Sequence, residues 1–341
     1  MSIRIAPTAS RTTAMTHRIL APRAASLALA LGALALPTAA GAQSYRYVRS
    51  ITPPLGEAYY QASFFDTTRN RLATFGFSSP YPGALFQADG TLIARAMAPA
   101  LGTTVGLDGA EYDAAMDRGI LITQDCRVHE INPATFALIT QRTLVGADTC
   151  AGVAIGADGN LYVASYGSRE IVVYPREGTS ALRRFSTVGI GNGYMDNLAR
   201  LPGTSNFLVG TNTGTMAIIS PTGVVLSGPG AVGTAAPLIG GMPINADGAT
   251  GISTNGQVFF CDHPLMPAPG TMSSCHFYAP GCSTAMDCPS STPVCVVPTG
   301  ATVGSCAVCA TDADCRTPTL PVCDALLRVC LPAAPAVRQL E

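Results

Sequence analysis

The sequence predicts an all-β chain: a β-propeller of five blades closed by its N-terminal strand, followed by a small disulfide-rich module. Three observations lead there. Residues 45–280 hold short β-like runs separated by Gly, Pro, Asn and Asp, with almost no helical periodicity. The runs recur in fours at a period of about 40 residues, the mark of units that must stack to bury both sheet faces. Eight of the 12 cysteines then crowd between Cys282 and Cys330.

The clearest unit runs Val153 to Ile155, a turn at Asp158-Gly159, Leu161 to Ala164, a turn at Gly167-Ser168, Ile171 to Tyr174, and Leu182 to Phe185. Four strands joined by tight turns are a propeller blade. Upstream, Gly119–Ile122, Arg127–Ile131 and Ala137–Ile139 supply the second to fourth strands of another blade. A first blade spans about 57–97, with later strands at Leu72–Phe75, Ala84–Gln87 and Leu92–Ala94. Downstream come Leu198–Leu201, Phe207–Val209, Met216–Ile219 and Val224–Leu226. The last blade offers only Gly251–Ser253, Val258–Cys261 and Cys275–Tyr278. Tyr45–Ser50 at the other end resembles the fourth strands, so it is expected to complete that blade and close the ring without a free edge. Six blades is the alternative count.

The start of the chain reads as an export signal over residues 1–42. Arg18 and Arg23 precede an apolar Ala24–Leu36 stretch, and Ala40-Gly41-Ala42 gives an A-x-A cleavage site. Met15 is an alternative initiator. The apolar stretch is short for a membrane span, and no later one approaches that length. The expected organisation is 1–42 signal, 43–280 propeller, 281–332 disulfide-rich module and 333–341 disordered tail, in an extracellular or periplasmic setting.

Removing residues 1–42 leaves 16 basic against 21 acidic residues, a formal charge of −5. Every basic residue is Arg. The absence of Lys excludes Schiff-base chemistry and lysine-dependent phosphate loops. The mildly acidic, scattered charge argues against nucleic acid or anionic membranes as partners.

The terminal cysteines form two four-cysteine units, Cys282, Cys288, Cys295, Cys306 and Cys309, Cys315, Cys323, Cys330. Asp-Cys and Pro-Val-Cys steps are shared by both. Too few apolar residues accompany them to build a core, so bridges within each unit must hold it, with three connectivities open to each. Cys306-Ala307-Val308-Cys309 reads as the junction of the units rather than a redox or zinc CxxC. In a propeller the second-to-third loops and the starts of first strands share one face. Cys126 and Cys150 therefore fall close enough to pair across adjacent blades, and Cys261 with Cys275 across the loop they flank.

The stretch Gly152-Val153-Ala154-Ile155-Gly156-Ala157-Asp158-Gly159-Asn160-Leu161-Tyr162-Val163-Ala164 resembles an NHL repeat and is similar to blades of gluconolactonase-like propellers. This resemblance covers 45–280 and implies a propeller. The cysteine spacing over 282–330 resembles the Dickkopf-type cysteine-rich pattern, which also occurs as tandem modules on secreted bacterial proteins.

Candidate chemistry is sparse. Gly228-Pro229-Gly230-Ala231-Val232-Gly233 matches G-x-G-x-x-G but opens no helix, so it reads as an inter-blade loop. Three His follow the signal. His129 reads as a strand residue, and His263 and His276 flank the Cys261–Cys275 loop. Acidic or amide residues recur just before the first strands: Glu57, Asp108, Asp148, Asp196 with Asn197, and Asp247. Such groups initiate turns by bonding their own backbone. They could also converge on the channel mouth and hold Ca²⁺ or another hard divalent cation. The gluconolactonase resemblance implies a divalent site in this place, with Glu57, Asn197 and Asp247 at its Glu, Asn and Asp positions.

The leading expectation is a secreted, non-catalytic propeller with no cofactor. It would present a loop-rich face to a protein, glycan or small-molecule ligand, with the cysteine tail as spacer or adhesion surface. The alternative is a divalent-metal-dependent lactonase or esterase-like hydrolase; a surface-layer component is a third reading.

Overall fold

In the computed structural model, the structure describes residues 45–51, 61–98, 101–191, 193–213, 215–227, 250–254, 256–261, 274–282, 284–285, 288, 292–296, 304–316, 318–324 and 330–331. The export signal over 1–42, Glu57, Asp247, His263, the glycine motif at 228–233, the long connections 228–249 and 262–273, and the tail 333–341 lie outside the described residues.

The chain is all-β. Strand β1 (Tyr45–Ile51) is followed by β2 (Ala62–Asp66), β3 (Arg71–Phe75), β4 (Pro82–Gln87) and β5 (Leu92–Met97), the last four forming one antiparallel sheet in that order. A second such sheet holds β6 (Leu107–Asp113), β7 (Arg118–Thr123), β8 (Arg127–Ile131) and β9 (Leu138–Thr143). The third holds β10 (Cys150–Ile155), β11 (Leu161–Ser165), β12 (Glu170–Tyr174) and β13 (Arg183–Ser186). In the fourth lie β14 (Met195–Arg200), β15 (Phe207–Thr211), β16 (Met216–Ile219) and β17 (Val225–Ser227). A further sheet contains β18 (Thr250–Ile252), β19 (Val258–Cys261) and β20 (Cys275–Cys282). The cysteine-rich region adds β21 (Val294–Val296), β22 (Gly304–Ala307), β23 (Val322–Cys323) and β24 (Cys330–Leu331).

These sheets form a propeller-like arrangement. The innermost strands β2, β6, β10, β14 and β18 each touch the next, and β18 touches β2. Between neighbouring sheets lie separate apolar clusters. Phe64, Phe75, Leu121 and Phe136 fill the space between the first and second sheets. Ile120, Val128, Leu161 and Val172 lie between the second and third, and Tyr162, Ile171, Leu198 and Phe207 between the third and fourth. Leu208, Ile218, Val258 and Phe260 follow, then Phe65, Phe86, Phe259 and Phe277 close against the first sheet. Covered on both faces, inner strands such as β11 and β15 are buried throughout and read as apolar runs. The outer strands β9 and β13 are mostly exposed and carry Arg.

Two glycines show how tightly the inner strands meet. A Cβ on Gly152 would lie 2.7 Å from the Leu198 nitrogen and 2.8 Å from the Asp196 carbonyl oxygen. One on Gly109 would collide with the Ala151 carbonyl. Only glycine permits that approach of backbone to backbone.

Strand β1 pairs antiparallel with β20, from Tyr45 opposite Pro280 to Ile51 opposite Cys275. Ser50 Oγ and His276 Nδ1, directly opposed, lie 2.7 Å apart. The Arg49 guanidinium covers the Phe277 ring at 4.3 Å and donates to the Ala88 carbonyl of the first sheet. The N-terminal strand thus completes the last sheet and reaches back to the first.

Against the sequence reading, the fourth strand of the second sheet runs Leu138–Thr143 rather than Ala137–Ile139, and its first strand, β6, had no apolar run to mark it. Strand β20 also crosses the expected boundary at 280/281. Its last residues pair with β22, Gly281 with Ser305 and Cys282 with Gly304. The first cysteine unit therefore extends the last sheet. Its buried Thr292 packs 3.8 Å from where a Cβ on Gly256 would stand, in the β18–β19 turn. Disulfides join Cys282 to Cys295 and Cys288 to Cys306, then Cys309 to Cys323 and Cys315 to Cys330. Each unit pairs its first cysteine with its third and its second with its fourth, so Cys306 and Cys309 belong to different units.

The face where first strands begin is called upper, the opposite face lower. On the lower face Glu130, almost wholly buried, receives Arg118 at 2.5 Å, Arg142 at 2.7 Å and Arg176 at 2.9 Å. Arg176 comes from the third sheet and also binds Asp113 at 2.7 Å. Burial pushes the Glu130 carboxyl up, but the three guanidinium hydrogen bonds outweigh it and hold the group at about 2. Glu130→Ala would leave three arginines around an empty position. Urea denaturation at neutral pH should show a loss of about 3 kcal/mol or more, whereas the partly exposed Glu170→Ala control should lose under about 1 kcal/mol.

Candidate functional site on the upper face

The upper face is built by a repeated latch. After the second strand of the second, third and fourth sheets the chain donates a backbone N–H to a carbonyl just ahead of the first strand of the same sheet. Gln124 binds Gly106 at 2.9 Å, Tyr166 binds Thr149 at 2.7 Å and Asn212 binds Tyr194 at 3.1 Å. Neighbouring sheets are then joined by the Cys126–Cys150 disulfide and by the Cys150 N–H donating to Gln124 O at 3.2 Å. The Cys261–Cys275 disulfide links opposed residues of β19 and β20.

The candidate metal ligands distribute along this rim. Asp148 precedes β10 and accepts from Ser165 Oγ at 2.5 Å and from the Thr149 N–H at 2.6 Å. Burial pushes its carboxyl up, but these bonds prevail and it stays below the usual range. Asp108, Asp196 and Asn197 do not stand ahead of their strands; they lie within β6 and β14. Register slips between Leu107 and Gly109 and between Met195 and Asn197, so Asp108 and Asp196 occupy β-bulges. A corresponding slip between Cys150 and Val153 marks β10. Bulges beside a ring axis re-aim side chains and increase local twist. All three residues are buried, and Gln124 Nε2 donates to Asp108 Oδ2 at 3.0 Å.

Among the described residues, the only groups of three or more His, Cys, Asp or Glu ligand atoms within 4.8 Å of one another are cysteines, and those are bonded as disulfides. Glu57 and Asp247 lie outside the described residues. Turn-initiating aspartates occur at the lower ends of first strands. Asp66 accepts from the Thr68 and Arg69 N–H groups, and Asp113 from those of Ala115 and Met116.

Two further titratable groups lie away from this rim. Glu111 lies on β6, half-buried, on the side that faces the third sheet. Burial pushes its carboxyl up to about 7, opposed by the Tyr112 N–H and by Arg200 of the fourth sheet. His129 on β8 is fully buried between the first two sheets, and neither ring nitrogen has a hydrogen-bond partner. Burial lowers its imidazole to about 4, helped by Arg127 and opposed by Asp125. A strand residue was expected at His129; a neutral imidazole sealed in the core could not be read from one His in an apolar alternation.

No family model matches the sequence, and no curated protein matches it. Among solved structures the chain is similar to glutaminyl cyclase of Myxococcus xanthus, with a TM-score of 0.36 and 10% identity over 49% of this chain and 91% of that one. Fold and bonding define the class: a propeller-like all-β protein with a disulfide-rich C-terminal region. Among the described residues no helix is long and apolar enough to cross a membrane.

Opposite pH dependences follow from the two groups. Below its unfolded value of 6.5, His129 takes up a proton only in the unfolded chain, so stability falls as pH drops from 6.5 to about 4. Comparing wild type with His129→Leu, the stability difference should move by about 3 kcal/mol in favour of the variant between pH 7 and pH 4. Glu111 acts the other way, its contribution present below 4.5 and lost as pH rises through about 7. Glu111→Gln should therefore gain up to about 3 kcal/mol over wild type at pH 8 and little at pH 4, read by denaturant titration.

Proposed function

We propose that this chain is a secreted, non-catalytic five-bladed propeller that binds a ligand or partner on its upper face, with the cysteine units as a rigid lower attachment. The carrying observation is what the rim carboxylates do. Asp148 is spent on Ser165 and Thr149, and Asp108 receives Gln124. These bonds fix the loops of the face in place, which suits recognition by a preformed surface. Five blades are supported by the succession of inner strands and by β1 completing the last sheet. Six disulfides suit an oxidising compartment and hence the signal read at 1–42. The fusion of β20 with β22 favours adhesion over a slack spacer for the first cysteine unit.

A second reading is supported by Asp108, Asp196 and Asn197, buried at or beside inner-strand bulges near the ring axis. With Glu57 and Asp247 they would supply oxygen ligands for Ca²⁺ or a similar ion, which would polarise a lactone or ester carbonyl. Elemental analysis of the secreted protein, with turnover of aryl esters and lactones, separates the two. The binding reading expects under about 0.1 divalent ion per chain and no turnover above blank. One ion per chain, lost together with hydrolysis in Asp108→Asn and Asn197→Ala, would establish the hydrolase instead.

A further inference from the structure

On the upper face, where the third and fourth sheets meet, two tyrosines form a shelf that the rim bonding does not need. Tyr166 leaves the end of β11 and Tyr194 immediately precedes β14. Their rings stack with centroids 4.7 Å apart and planes 18° from parallel. Tyr166 is half-buried, while Tyr194 keeps 46% of its surface exposed. Asn212 locks both residues. Its Nδ2 donates to Tyr166 Oη at 2.8 Å, its Oδ1 accepts from the Tyr194 N–H at 3.0 Å, and its own N–H binds the Tyr194 carbonyl. Gly193 lets this loop lie close, because a Cβ there would come within 2.8 Å of Asn212 Oδ1 and Thr211 Cβ.

We infer that the Tyr166–Tyr194 shelf is a binding site for a neutral carbohydrate chain, with a sugar ring stacking on the open side of Tyr194. The inference rests on the binding reading above and names its ligand class. A tyrosine face carries the negative side of the ring quadrupole and attracts the C–H-rich face of a pyranose. Held by stacking and by Asn212, the ring loses little freedom when a ligand arrives. The groups around it are uncharged and hydrogen-bonding: exposed Thr213, whose Oγ1 lies 3.0 Å from Thr211 Oγ1, and exposed Ser168, which donates to Ser165. Of the charged neighbours, Arg169 is partly buried and donates to the Gly191 carbonyl, and Asp148 accepts from Ser165. A hydrophobic small molecule would need concave apolar walls that an open shelf does not offer.

The test is affinity electrophoresis of the intact secreted protein in native gels containing xylan, mixed-linkage β-glucan, galactomannan or soluble starch. Wild type should be retarded by at least one of them. Tyr194→Ala should weaken that retardation by about tenfold or more, while Tyr194→Phe keeps it. The chain has no Trp, so a tyrosine difference spectrum on adding the retarding polysaccharide should appear in wild type and shrink in Tyr194→Ala. An unchanged thermal midpoint in Tyr194→Ala shows that the fold survives. Retardation by none of the four, or equal retardation of wild type and Tyr194→Ala, overturns the carbohydrate site. Neither result touches the broader reading, which fails only if the ester and metal assays reveal a hydrolase.

Discussion

The hydrogen-bonded pairing of β1 with β20 is the contact on which the architecture turns. Each inter-sheet core is apolar on both sides, so no sheet is stable with one face open, and a ring is the arrangement that covers them all. The last sheet brings only three strands of its own, and a residue separation of more than two hundred positions must be closed to supply the fourth. Loop-closure entropy grows slowly with length, so the distance itself costs little more than a shorter one would. What secures the closure is local: Ser50 against His276, Arg49 over Phe277, and Ile51 among Phe86 and Phe259.

Much of this was legible because buried strands announce themselves. Leu161–Ala164, Phe207–Val209 and Met216–Ile219 are apolar runs bounded by turn residues, and they became strands nearly as read. Strand β6 was not legible, since Leu107-Asp108-Gly109-Ala110-Glu111-Tyr112-Asp113 alternates polar and small residues. Its polarity has a physical source. An inner strand faces the ring axis as well as its neighbours, so Glu111 and Asp108 find space that an apolar core would deny them. The cysteine pairing within the terminal units was open among three connectivities on sequence alone, because spacing does not encode which strands oppose each other. The hairpin that sets Cys295 opposite Cys306 is a feature of three dimensions.

The candidate site was half legible. Acidic residues near the starts of inner strands could be found by their recurrence, but turn initiation and bulge placement look alike in one dimension. The structure separates them: Asp66 and Asp113 cap turns at the lower ends, whereas Asp108 and Asp196 sit in bulges nearer the upper face. The Tyr166–Tyr194 stack was invisible to any periodicity, since its members come from a second-to-third loop of one sheet and the leading loop of the next. Only the ring brings those loops side by side.

Strand β20 lies between β1 and β19 and then continues into the cysteine region as the partner of β22. A pull applied through the C-terminal end would run along the axis of this strand. The bonds that join it to both neighbours would then be strained in shear, all at once, rather than peeled one after another. Anchored by that end, the ring would resist force with the same ladder that closes it.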